Sequence, residues 1–514
     1  MRVRRVRTKT KAEAREWTVA RALAAALLLL ALAATALVAQ RAPSQLTLEE
    51  AIVLAKGNNP LYLSTQNDMA QANWQTREAY AAFLPTVNVN GRAAYQEAGV
   101  QRLGALEFDA PTDWAFSSYS MNFNMAITGN TIFGIANARA NKRATAASVR
   151  AAEWNLETSV ALQYMTALRF MDQVDVAQRQ LDRARQNLRI VSTRVETGAA
   201  AGTEGRQAEV DLGRAEVGMI QALRDVRQAK LLLAERLGVA LDVDVELASQ
   251  FDVFEPDFEV GPLIDQALAA HPSLRAVAAL ESASKAAARQ ISTSQYLPSL
   301  FLSTSLSGFA RQALNEDFVA SQVDGLAASR IGNCEEKNAL NSGLAGGLPG
   351  WVNQDCSQFA ATDDARAAAL AANRLFPFDF SSNPVTLSAT VSLPIFTGFT
   401  GQRQVSQANN AAEDAEHNRR AEELRLRTAV TNTYDNLVTA YQVIQVEARN
   451  QALSEEQLQL QRRRYALGAA GLLELMDAQT TVTTSDQLYL NALYDFHYNL
   501  IALEAAVGQP LPSR

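Results

Sequence analysis

The chain is dominated by apolar positions spaced three and four residues apart. Val174, Ala177, Leu181, Ala184, Leu188, Val191 and Val195 form one such series. Leu212, Ala215, Met219, Ala222, Val226, Ala229 and Leu233 form another. This is the heptad spacing that drives helices to pair along a seam. It predicts long helices over 131–197 and 203–238, preceded by one over 46–83. A second set is predicted over 262–296, 400–467 and 472–507. A helix of 131–197 would run about 100 Å at about 1.5 Å per residue. No single globular core encloses such a rod, so it must pack laterally. Gly198 and Gly202, then Gly468 and Gly471, interrupt the pattern between seam partners and predict tight hairpin tips. Periodicity alone also fits an ordinary soluble helical hairpin.

Four segments alternate with period two. In Pro384–Leu393, Val385, Leu387, Ala389, Val391 and Leu393 oppose Thr386, Ser388, Thr390 and Ser392. Pro298–Phe309, Ser118–Ile127 and Thr86–Tyr95 show the same split, with Ser or Asn on the polar side. Length and alternation suit transmembrane β-barrel strands, apolar side to lipid. A half-buried soluble sheet alternates in the same way. Four strands do not close a barrel, since about eight are needed, so a membrane-spanning version requires several copies.

The pattern is written twice. Tyr164, Arg194, Gly198 and Ala208 recur at Tyr434, Arg464, Gly468 and Ala478, a shift of 270. Asn59-Pro60 recurs as His271-Pro272, Leu84-Pro85 as Leu297-Pro298, and Thr128-Gly129 as Thr397-Gly398. The changing offset places about 56 extra residues between Pro298 and Thr397 of the second half. The halves are 46–238 and 262–510, joined by an acidic linker over 239–261.

The first 39 residues read as a secretory signal: a basic start, the uncharged run Leu23–Ala39 and small residues at its end. A retained anchor is the alternative. The segment carries eight basic and two acidic residues, so its removal takes the net charge from −7 to −13. An acidic chain is a poor general binder of nucleic acid. Three scattered histidines, His271, His417 and His497, lack metal-ligand spacing, and no catalytic motif is present, so neither metal, cofactor nor enzyme activity is expected.

Several local motifs fall in a telling order. They are Leu46-Thr47-Leu48-Glu49-Glu50-Ala51, the two Leu-Pro strand starts, and Leu393-Pro394-Ile395-Phe396 before Thr397-Gly398. The strongest are Arg464-Tyr465-Ala466-Leu467-Gly468 and Leu472-Leu473-Glu474-Leu475-Met476-Asp477-Ala478-Gln479. In this order and duplication the chain resembles the outer-membrane efflux protein family of the TolC type, from about Leu46 to Pro510. The resemblance implies a mixed α and β membrane protein. Long coiled-coil hairpins would form a periplasmic α-barrel, and four β-strands per protomer would enter a shared twelve-stranded transmembrane β-barrel of a homotrimer. The implied function is a passive exit duct embedded in outer-membrane lipid. A periplasmic adaptor and an inner-membrane pump would be its partners.

The resemblance also assigns sites. Glu474 and Asp477, one turn apart on one helix face, match the family's acidic constriction. Stacked in a trimer, such rings attract cations. Thr203, Glu204 and Tyr465 match its gating network. Ala470 stands where the best-known network has an arginine. The expectation is therefore a weak resting gate, with Leu472 and Leu473 as an apolar constriction, and little effect of Glu204→Ala or Tyr465→Phe. The glycine tips would dock the adaptor. If the strands span the outer membrane, the long loop over 310–383 is outside the cell. Oxidising surroundings then favour a Cys334–Cys356 disulfide over two free thiols. Two rivals stay open: an exported helical scaffold or adhesin without a pore, and protein export in place of small-molecule efflux.

Overall fold

The computed structural model describes residues 45–511 apart from 105, 241–244 and 250. The amino-terminal targeting segment lies outside the described residues. In chain order the elements are β1 (Gln45–Leu46), α1 (Leu48–Asn58), α2 (Pro60–Ala81), β2 (Thr86–Gln96), β3 (Gly99–Leu103), β4 (Leu106–Ala110), β5 (Trp114–Ile127), α3 (Gly129–Glu196) and α4 (Gly202–Leu237). Then follow β6 (Glu246–Leu247), α5 (Val260–Ala270), α6 (Pro272–Tyr296), β7 (Ser299–Ala313), α7 (Glu316–Gly343), a short 3-10 turn (Cys356–Phe359) and α8 (Asp363–Ala372). The last are β8 (Ser381–Ser382), β9 (Thr386–Ser392), α9 (Thr400–Ala466) and α10 (Leu472–Val507). They divide into two compact units, one of residues up to 68, 146–276 and from 420, the other of 69–145 and 277–419.

The first unit holds two main apolar clusters, the first drawing Leu490, Tyr494 and Ile501 of α10 onto first-half residues. Ala51, Ala55, Tyr164, Leu233 and Leu237 pack together, and Leu263, Ala267, Phe496, Leu503 and Val507 form the counterpart. The seam residues Ala177, Leu181, Ala184, Ala208, Ala215, Ala222 and Ala229 are buried. The linker is tied down where it is described. β1 and β6 pair in parallel, and the Tyr164 hydroxyl donates to the Leu46 carbonyl at 2.7 Å.

The helices expected over 46–83 and 262–296 are each broken at the X-Pro step. Proline opens the next helix because its missing N–H is not needed there. Asn59 caps the first break, accepting from the Tyr62 N–H at 3.0 Å and donating to the Arg236 carbonyl at 2.8 Å. His271 does the same work in the second half. Its Nδ1 accepts from the Ser273 N–H at 3.1 Å and its Nε2 lies 3.0 Å from the Ala505 carbonyl.

The second unit holds an antiparallel sheet in the order β2-β5-β7, with β8 and β9 both pairing with β7. The register aligns the alternation across strands. Thr86, Asn124, Ser303 and Ser388 share one row, and the Ser303 and Ser388 hydroxyls meet at 2.7 Å. Met125, Leu302 and Ala389 share a neighbouring row on the other face. Val89, Leu387 and Val391 on that apolar side are exposed. β2 and β9 each pair on one side only among the described residues. No described helix is long and apolar enough to cross a membrane.

The segment 310–383, expected as a loop, is largely folded. β7 continues to Ala313, and α7 and α8 start at the side-chain caps Asn315 and Thr362. Cys334 and Cys356 are bonded, with Cα atoms 5.7 Å apart. Asn338 braces the same turn, donating to the Gln354 carbonyl at 2.8 Å and accepting from the Trp351 indole at 3.0 Å. The base is fixed to the sheet by Asn373, bonded to the N–H and carbonyl of Ala313, and by Arg311 stacked 3.6 Å over Trp114. The cysteines are 22 positions apart in sequence. A loop near that length is worth about 3 kcal/mol when closed. Replacing both cysteines by alanine should therefore speed amide exchange in α7 by about a hundredfold or more while the α3 and α9 helices are unaffected. Unchanged exchange in α7 would show that packing alone holds the insertion.

Candidate gate and docking tips

The two hairpin tips end their long helices with the same hydrogen bonds. The Ala199 and Gly198 N–H groups donate to the Arg194 and Val195 carbonyls, and the Ala469 and Gly468 N–H groups to those of Arg464 and Tyr465. This is a Schellman cap, which needs a left-handed residue at its bend. Gly198 has φ +72° and Gly468 φ +75°. Gly202 and Gly471 have no such role: Gly202 is the first residue of α4, and Gly471 is an extended N-cap with φ −81°. Gly198→Ala or Gly468→Ala should cost about 1 kcal/mol or more through the left-handed bend. Gly202→Ala should cost nothing. Amide exchange at the tips separates the two, and equal effects would contradict the cap assignment.

Arginine braces each tip from the same position of the repeat. Arg194 Nη2 donates to the Ala199 carbonyl at 3.0 Å, and Arg464 Nη2 to that of Ala469 at 3.4 Å. Arg194 also reaches the second hairpin. Its Nη1 donates to the Tyr465 carbonyl, and its guanidinium lies 4.3 Å over the Tyr465 ring. Tyr465 is only 1% exposed, packed with Val191, Leu458 and Leu475. Its hydroxyl donates to Glu204 Oε2 at 2.7 Å. Burial, then the Glu204 contact, pushes the phenol up to about 12. It keeps its proton at any physiological pH.

Of the residues read from sequence, Glu204 and Tyr465 are thus brought together. Thr203 is exposed and makes no hydrogen bond among the described residues. Leu472 and Leu473 are separated: Leu472 packs into the Tyr465 cluster, while Leu473 is 80% exposed. Glu474 and Asp477 share the exposed side of α10, opposite buried Leu475 and Ala478. Glu474 lies 3.8 Å from Arg464 Nη1. No ion pair engages Asp477 among the described residues.

Sequence reasoning missed the polar layer behind this site. Asp486, 5% exposed, binds Arg183 at 2.6 Å and Gln451 at 2.7 Å. Arg462, also buried, has Nε and Nη2 without a protein partner, and desolvation lowers its pKa. The only signal was Ser485 in an otherwise apolar heptad position beside Asp486.

The chain thus carries a duplicated pair of long helical hairpins and a five-stranded antiparallel sheet whose apolar side is exposed at Val89, Leu387 and Val391. The outer membrane efflux protein family model matches residues 51–239 and 358–509, and the chain belongs to that family. It is an exit duct of the outer membrane. A search of curated proteins gives no match. Among solved structures, the open-state MtrE channel of Neisseria gonorrhoeae is 18% identical, with 90% of this chain and 89% of that one covered at a TM-score of 0.64. The CmeC channel of Campylobacter jejuni is 13% identical over 90% and 85%, with TM-score 0.66. VceC of Vibrio cholerae is 15% identical over 90% and 96%, with TM-score 0.63.

Proposed function

We propose that the duct is a passive homotrimer whose gate is closed by the Arg194–Tyr465–Glu204 contact. The observation that carries this is the 2.7 Å bond from the buried Tyr465 to the half-buried Glu204, which ties the two hairpins of one chain. Three chains would supply twelve strands, enough to close a barrel with its apolar face to lipid and its Ser, Thr and Asn rows to water. Each chain would present two tips to a periplasmic adaptor. Asp477 and Glu474 would form acidic rings at the narrow end.

The repeat makes the joints unequal. Arg464 and Glu474 stand where Arg194 and Glu204 stand in the first half, but Val195 stands where the second has Tyr465. A joint between chains built like the joint within a chain would lack the phenol. Opening would begin there.

The test is conductance of the purified chain in a planar bilayer, beside its migration in SDS with and without heating. Discrete conductance and a heat-modifiable trimer band are expected. A heat-indifferent monomer with no conductance would sink the proposal.

A further inference from the structure

Beneath the described part of the linker, the first unit contains a cavity of about 480 Å³, within the size range that holds a small organic ligand. Its walls come from α1, α3, α10 and the linker residues Phe251 and Phe254. Nothing in the gate or the tips uses it.

Three features define what it takes. The first is His497, which lines the cavity, is 4% exposed and has no hydrogen bond to a described residue. It is enclosed by the rings of Phe251, Tyr494 and Phe496. Burial pushes its pKa down to about 4, so the ring is neutral and retains one donor and one acceptor.

The second feature is charge. Glu49, Glu157 and Glu504 line the cavity and no Lys or Arg does. Glu157 is compensated by Lys56 at 2.5 Å. Glu504 is half-buried and accepts one bond, from the Leu511 N–H at 2.9 Å, with no cationic partner among the described residues. Glu49 has no ion pair among the described residues.

The third is aromatic surface. Trp154 is held by its indole N–H on the Ala505 carbonyl at 3.3 Å, and Phe251 and Phe254 face the same space. Aromatic faces and an uncompensated carboxylate together favour a cation over a neutral or anionic guest. We propose that this cavity binds an organic ammonium ion with an apolar body. The ammonium would sit at Glu504, the body against Phe251, Phe254 and Trp154, and a ligand N–H or O–H on His497.

The probe is 2-(2-naphthyl)ethylamine, with 3-(2-naphthyl)propanoate as the anion of similar shape. Binding to the detergent-solubilised full chain is read by calorimetry and does not depend on conductance, so it stands or falls apart from the gate. The amine is expected to bind at least about tenfold more tightly than the carboxylate. Glu504→Gln, which keeps the Leu511 bond, and His497→Gln should each weaken it about tenfold. Glu49→Gln, at an exposed position that leaves folding undisturbed, should weaken it about twofold. Equal binding of amine and carboxylate, no binding of the amine at 1 mM-scale concentrations (about a thousand micromolar), or amine binding indifferent to both Glu504→Gln and Glu49→Gln would overturn the proposal.

Discussion

Tyr465→Phe is expected to raise the resting conductance of the channel by about tenfold or more, and Arg194→Ala to do the same. Each removes a contact between the two hairpins from a buried site. The phenol bond to Glu204 is assisted by the carboxylate charge, and such bonds are worth about 1.5–3 kcal/mol. About 1.4 kcal/mol is a tenfold change in an equilibrium. The phenylalanine variant keeps the ring packed on Val191 and Leu475, so the change isolates the hydroxyl. Thr203→Ala is the control and should leave conductance unaltered. The pH sign is fixed by the raised phenol. Stability from this donor is fully present below pH 10 and is lost only as pH rises through about 12. Resting conductance that is the same in wild type and both variants would mean the gate lies elsewhere.

The second large effect concerns ion selectivity. The Glu474→Ala/Asp477→Ala variant should lose most of its preference for cations, with the permeability ratio falling about threefold or more. The two carboxylates are not equivalent. Arg464 stands beside Glu474, although both are exposed enough that the pair itself contributes little to stability. It still offsets the charge that a passing ion would feel. Asp477 has no such neighbour among the described residues, so Asp477→Ala alone should reproduce most of the double variant. Reversal potentials across a salt gradient decide the matter. If Glu474→Ala alone matches the double variant, Asp477 does not face the ion path.

Much of this is legible in the sequence. Heptads and strand alternation are repetitive signals, and repetition over seven turns or ten residues outweighs local noise. That is why α3, α4, α9, α10 and the four main strands appear close to where the pattern puts them. The bends at Gly198 and Gly468 were legible for the same reason, since left-handed backbone has few other sources. The insertion was not. α7 carries Gly325 and Gly332 and a mixed surface, and a helix held by caps and a disulfide needs little amphipathic pattern. The gate was half legible. Glu204 and Tyr465 are named by resemblance, whereas Arg194 comes from the opposite hairpin and meets Tyr465 only in the fold.

The alanine seam has a mechanical meaning. Ala208, Ala215, Ala222 and Ala229 recur every seventh residue of α4 and all are buried. A leucine seam interlocks like gear teeth, and turning it requires each side chain to leave its hole. Alanine ridges stand one methyl high, so a helix rolling against its neighbour crosses shallow steps while contact stays close. α4 is in that sense a bearing surface. It offers tight fit at low friction along its middle, and the firmer holds are at its ends, the Glu204–Tyr465 bond near the tip and the Asn59–Arg236 bond with Leu233 and Leu237 at the other.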